Sequence, residues 1–170
     1  MLLKSIVQAA VAAILVVSAW GAAAQTPAPA APPGPILYGA PISLDNAKKV
    51  AAVAAAEARK NKWTMALAVT DPAGNLVYFE KLDGTQTASV NIAIGKSRSA
   101  AIFKRPTKVF EDGVAGGGAG MRFLSLEGAV AVEGGVPIVM DGKIVGAIGA
   151  SGGTSQQDGV VAKAGVDALK

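Results

Sequence analysis

Residues 134–158, GGVPIVMDGKIVGAIGASGGTSQQD, constrain this chain more than any other stretch. Residues 136–140 and 143–150 read as two apolar strands joined by Asp141-Gly142. Asp-Gly suits a type I′ hairpin, whose two central residues both need positive φ. The second strand runs into Ser151-Gly152-Gly153. A helix then opens at Thr154 or Ser155, with Asp158 three residues after Ser155, close to a capping box. Glycines at a strand-to-helix junction let a ligand approach the backbone, and a helix N-terminus offers free N–H groups. That geometry suits an anionic small molecule.

The N-terminus reads as an export signal rather than fold. A short positive start at residues 1–4 precedes an apolar run at 6–19 and an A-x-A site at Ala22-Ala23-Ala24, before Gln25. The run is shorter than the roughly 20 residues of a membrane span. Residues 1–24 are therefore expected to be removed, giving a periplasmic or secreted protein. No cysteine stands at the cleavage site to carry a lipid, so no stable membrane anchor is expected. Residues 25–41 are rich in Pro and Ala and predict an extended spacer without a core of its own. Residues 42–170 remain as one domain, long enough for a layered core.

Two absences exclude whole classes of chemistry. The chain has no cysteine, so an exported protein must be held by packing or self-association instead of disulfides. It also has no histidine, the commonest general base, metal ligand and haem ligand. On that ground a zinc enzyme, a Ser-His-Asp hydrolase and a His-ligated haem protein are not expected. Ser97, Ser99, Ser151 and Ser155 have no imidazole to activate them. Without Lys4 the charge is 15 basic against 12 acidic residues, a mild +3 without a dense basic block. Nucleic-acid binding is not indicated.

Within the domain, residues 43–60 predict a helix capped by Ser43, with Leu44, Ala47, Ala51, Ala54 and Ala58 on one face. Asn61 is expected to end it in a left-handed conformation. Residues 64–70 and 76–82 predict an antiparallel hairpin, with Met65, Leu67 and Val69 on one face and Ala66 and Ala68 on the other. Residues 87–103 predict a helix rich in small residues, ended by Pro106. Residues 107–112 are expected to form one short helical turn, and GVAGGGAG at 113–120 reads as a flexible loop, without the context of a Walker A or dinucleotide motif. A short strand is expected at 129–132, and the last helix at 155–169. The order α-β-β-α-β-β-α, with hairpins in place of crossovers, implies an α+β domain with a mainly antiparallel sheet flanked by helices.

Three readings of function stand beside one another. In the first, a flat or anionic ligand sits between the 87–103 helix and the glycine corner. Lys96, Arg98 and Arg105 pair its carboxylates, and Asp83, Gly149, Ser151, Gly152 and Gly153 complete the site. In the second, Asp71, Asp83 and Lys96 form a metal-independent lyase or isomerase site. In the third, the small-residue helix only assembles oligomers. Tyr78, Met65, Met121 and Met140 are the soft or aromatic candidates for a haem ligand, each expected in the core.

The domain resembles the GlcG/HbpS family. The likeness rests on S-L-x-x-A at 43–47, A-V-T-D-P-A-G-N-L-V at 68–77, L-D-G at 82–84 and F-K-R-P-T at 103–107. It continues in G-G-V-P-I from Gly134, D-G-K-I-V-G-A-I-G-A-S-G-G and Asp158. The resemblance implies a profilin-like α/β sandwich and a tendency to form homo-oligomers. It also implies that some relatives bind haem or a corrinoid-like tetrapyrrole. Lys81-Leu82-Asp83 stands where the family pattern has Arg-Met-Asp, and Lys96-Ser97-Arg98-Ser99-Ala100 where it has Lys-Ala-x-Thr-Ala.

Overall fold

The computed structural model describes residues 34–170; the expected signal segment and the first part of the spacer lie outside the described residues. The elements run β1 (Leu37–Tyr38), α1 (Leu44–Lys60), β2 (Ala66–Thr70), β3 (Leu76–Lys81), α2 (Ser89–Ile102) and α3 (Lys108–Ala115). A 3-10 helix (Gly118–Ser125), β4 (Gly135–Met140), β5 (Lys143–Ser151) and α4 (Ser155–Asp167) follow. β5 is the axis of the sheet. β4 runs antiparallel along one edge of it. Its other edge takes β2, antiparallel, over Ala147–Ser151 and β1, parallel, at Lys143 and Ile144. β3 closes the far side against β2.

The faces separate by side-chain size. Met65, Leu67 and Val69 join Val50, Ala54 and Val161 in the main core, between the sheet and α1 and α4. Ala66 and Ala68 face Ala93 of α2 on the other side. The period-2 reading of β2 is therefore correct, with both of its faces buried. The result is an α+β domain of three layers.

α2 lies close to the sheet because both surfaces are nearly bare. A Cβ added at Gly149 would stand 2.6 Å from the Ser97 nitrogen and overlap the Ala93 carbonyl. Ser97 supplies the polar seam: its Oγ reaches Ala147 O at 2.9 Å and Thr70 Oγ1 at 2.9 Å. The small residues of this helix serve packing within the chain.

The chain joins the sheet earlier than its composition suggests. Residues 25–41 were expected to be spacer throughout, yet β1 lies within them. Gly39 N–H donates to Ile144 O at 2.8 Å. The Tyr38 hydroxyl points at the carbonyls of Ala101 and Ile102, and the Lys104 ammonium sits 4.0 Å from the Tyr38 ring centre. One aromatic side chain thus fixes a segment that is otherwise Pro/Ala-rich.

Three local expectations change. Asn61 has φ −90°, and the left-handed residue is Lys62 at φ 59°. The reason is that the Asn61 amide bonds back to Glu57, both to its carbonyl and to its carboxylate at 2.8 Å, which keeps residue 61 near the helix. The 113–120 stretch is not a loop: α3 runs to Ala115 and a 3-10 helix follows. Phe103, Phe110 and Phe123 stack edge-to-face with centroids 5.2 Å apart, and the Phe123 ring fills the space a Gly113 side chain would need. Residues 129–132 form no strand. The hairpin reading holds, with Asp141 at φ 49° and Gly142 at φ 72°.

Gly149→Ala should cost about 3 kcal/mol, the upper end for overpacking, because the added methyl meets backbone that cannot rotate away. Urea unfolding followed by circular dichroism measures it; an unchanged midpoint would contradict the close approach of α2.

Candidate functional site

The glycine corner is built around a buried ion pair. Lys96 on α2 is 1% exposed and Asp158 on α4 3%. The Lys96 ammonium donates to Asp158 Oδ2 at 2.7 Å and to Ala150 O at 3.2 Å. Gly134 and Gly135 make room for it: a Cβ on Gly134 would lie 2.9 Å from Lys96 Nζ, and one on Gly135 would overlap the Lys96 carbonyl. Burial pushes the Asp158 carboxyl above its ordinary value, while Lys96 and the Gly153 N–H pull it part of the way back.

This arrangement fills the ligand space expected at the corner. Asp158 is not the helix cap; the cap is Thr154, whose Oγ1 accepts from Gln157 N–H while the Gln157 amide oxygen accepts from Thr154 N–H. Asp158 Oδ1 takes the Gly153 N–H at 3.0 Å. N–H groups expected to await an anion are thus engaged by the chain itself. Gly149 is packed under α2, and Ser151 is buried with its Oγ 3.2 Å from Ser89 Oγ. Gly152 and Gly153 pack on the Thr64 carbonyl and the Gln157 side chain. Arg98 and Arg105 are exposed; Arg98 covers Gly74 at the β2–β3 turn, and Arg105 turns back to Phe103 O. Asp83 is exposed beside Arg59 and Trp63. Of the eight residues expected to form one site, Lys96, Gly149, Ser151, Gly152 and Gly153 meet at the corner, and Asp83, Arg98 and Arg105 lie apart from it on the surface.

The groups considered for metal-free catalysis are dispersed as well. Asp71 ties the β2–β3 turn, accepting from Ala73 and Asn75 N–H at 2.9 Å. Asp83 lies at the opposite end of that hairpin, and Lys96 is buried. Among the soft or aromatic candidates, Met65 is fully buried and Tyr78 and Met140 pack against the main core. Met121, expected in the core, is 48% exposed because the 3-10 helix carries it outward.

An open groove of about 470 Å³ lies elsewhere, along the free edge of β4. Its floor is Val136, Pro137, Val139 and Ile144, with Ile36 and Val166 on the sides. Pro137 has no N–H to offer, and Thr107 engages both backbone groups of Gly135, at 2.9 and 3.0 Å. The edge is therefore closed to ordinary strand addition at these positions and presents mainly apolar side chains. Four lysines rim it: Lys104 and Lys108 on the segment after α2, Lys163 and Lys170 on and just beyond α4. Two carboxylates, Glu133 and Asp167, share the lining with them, and Asp112 pairs with Lys108 beside it. Hydrogen bonds from Lys163 and Lys170 hold Asp167 below its ordinary value. Burial pushes Glu133 up, Glu111 and Asp112 add to this, and Lys108 and Lys96 oppose it.

Sequence reasoning missed this groove. Gly159, Lys163, Val166 and Lys170 recur at helical spacing on one face of α4, which was a usable signal. Nothing local indicated that β4 would be an edge, or that Lys96 would meet Asp158.

Fold and site together define a small α+β domain with helices on both faces of a mainly antiparallel sheet and a lysine-rimmed apolar groove at one edge. A family model described as "Haem degrading protein HbpS-like" matches residues 42–167, and the chain belongs to this HbpS-like family. It is 38% identical to Protein GlcG of Escherichia coli K12 over 110 residues, 65% of this chain and 81% of that protein. Among solved structures it is similar to a double mutant of Streptomyces reticuli HbpS, at 27% identity and TM-score 0.71, covering 85% of this chain and 99% of that one. It is also similar in fold to a PduOC–haem complex, at 22% identity and TM-score 0.69, covering 76% and 96%.

Lys96→Met should lose about 3–5 kcal/mol, because it strands the Asp158 carboxyl. Lys96→Met with Asp158→Leu should recover most of that in urea unfolding. The single variant's deficit should shrink as pH falls, because the stranded, buried carboxyl takes up a proton above the ordinary carboxylate range. A fully additive double variant would contradict the pairing.

Glu133 is raised, so it loses its charge before Asp167 as pH falls, and the groove becomes more positive. Binding of anilinonaphthalene sulfonate, whose charge does not change as Glu133 protonates, should strengthen as pH falls from neutral toward the ordinary carboxylate range. Glu133→Gln should bind it more tightly at neutral pH and lose that dependence. Fluorescence titration reads both.

Proposed function

We propose that the chain is an exported, self-associating binding protein that holds an amphiphilic anion, haem or another tetrapyrrole, in the β4 groove. One observation carries the reading: an apolar floor rimmed by four lysines. An apolar ring would cover Val136, Val139 and Ile144, and its carboxylates would displace exposed lysine pairs that are individually weak, such as Lys163–Asp167 and Lys108–Asp112, both at 2.7 Å. Membership of a family described by haem degradation, and the haem named for PduOC, support a tetrapyrrole. The groove residues fit its ring and carboxylates. They do not fit ligation of its iron by the usual donors: among the described residues, no His, Cys, Met or Tyr lines the groove.

Export is supported by the signal-like residues 1–24. Self-association is supported by the apolar side chains left exposed on α3 and the 3-10 helix, Val109, Met121 and Leu124.

Hemin titrated into the mature protein should saturate at a fixed stoichiometry by absorbance. The Lys104→Glu/Lys163→Glu variant should bind it about tenfold more weakly, with its circular dichroism unchanged. A spectrum that merely sums free hemin and protein would overturn the reading. Native mass spectrometry of protein from its own host should give a mature chain beginning at Gln25, in an assembly larger than one copy.

A further inference from the structure

We infer that the groove selects its ligand by apolar surface and carboxylates alone, so that an iron-free porphyrin dicarboxylate is as good a ligand as haem. This rests on the binding reading above and adds the ligand class: an amphiphilic dicarboxylate whose metal centre is not read.

Selection for iron requires a side chain with a lone pair to donate. The chain has no histidine or cysteine. Among the described residues, no other soft or phenolic donor lines the groove. Met65 is sealed in the core, and Tyr78 and Met140 pack against it. The Tyr38 hydroxyl is turned to the carbonyls of Ala101 and Ile102. Lysines and the two carboxylates Glu133 and Asp167 remain in the described lining, none of them among the usual donors to haem iron, and each lysine is already held by a neighbour. Lys108 is paired with Asp112, and Lys163 and Lys170 share Asp167. Lys104 donates to Ile36 O at 3.1 Å and stacks its charge on the Tyr38 ring.

Those same lysines fit carboxylates. They come from two sides of the groove, Lys104 and Lys108 between α2 and the start of α3, and Lys163 and Lys170 on and just beyond α4, which suits a ligand carrying two anionic arms on one apolar body. The floor between them is aliphatic and contributes contact area that any porphyrin face can use.

The test compares hemin with metal-free protoporphyrin on the mature chain and on the Lys104→Glu/Lys163→Glu variant. Hemin is followed by absorbance and protoporphyrin by its emission. The dissociation constants should agree within about threefold, and both should weaken about tenfold in the variant. Lys104→Gln/Lys163→Gln, which removes charge without reversing it, should show a smaller loss in the same direction. Hemin binding tenfold or more tighter than protoporphyrin would overturn metal-blind selection while leaving the binding reading intact. Equal binding untouched by either variant would overturn the carboxylate part. Saturable binding of neither probe would overturn this inference and the binding reading together.

Discussion

The buried pair of Lys96 and Asp158 is the interaction around which the rest of the domain is arranged. α2 covers one face of the sheet and α4 the other, and this pair joins the two helical layers at the end of β5. A charge so deeply buried is tolerable only with a partner and further hydrogen bonds, which Ala150 O and Gly153 N–H provide. The long lysine side chain also needs a path, and Gly134-Gly135 provides it by having no side chains. The glycine-rich corner is thus explained by its own interior, and the open groove lies at the neighbouring edge.

That edge follows from the order of the strands. β5 is paired on both sides, β2 lies between β5 and β3, and β4 is left with one free side. Proline and a threonine side chain occupy part of its hydrogen-bonding capacity, so the remaining surface is mostly aliphatic. α4 and the segment after α2 rise on either side and bring lysines to an apolar floor. Neither element alone makes a site. Their spacing across β4 does, and that spacing depends on α2 lying close enough to the sheet to meet Ala147 and Gly149.

Secondary structure was legible wherever short-range chemistry decides it. Ser43 caps α1, Asp141-Gly142 makes the hairpin, and the alternation of Met65, Ala66, Leu67, Ala68 and Val69 separates the two faces of β2. It was illegible where distant contacts overrule composition. Gly113–Gly120 looks like a loop because its residues are small, yet Phe123 seats against Gly113 and orders it. Residues 37–38 look like spacer, yet Tyr38 binds the end of α2. The site was less legible than the fold. Lys96 is a cation in any sequence reading, but only its meeting with a residue 62 positions later makes it structural.

By itself, then, the sequence determined the alternation of hairpins and helices, the antiparallel sheet, the family, and the exclusion of histidine and cysteine chemistry. These depend on residue type and on spacing within a few positions, which the chain states directly. The tertiary structure alone decided that the glycine corner is filled, that Lys96 is withdrawn from any ligand, and that four lysines converge along β4. Each of those depends on which surfaces remain uncovered after packing, and that is set by contacts between residues far apart in the chain.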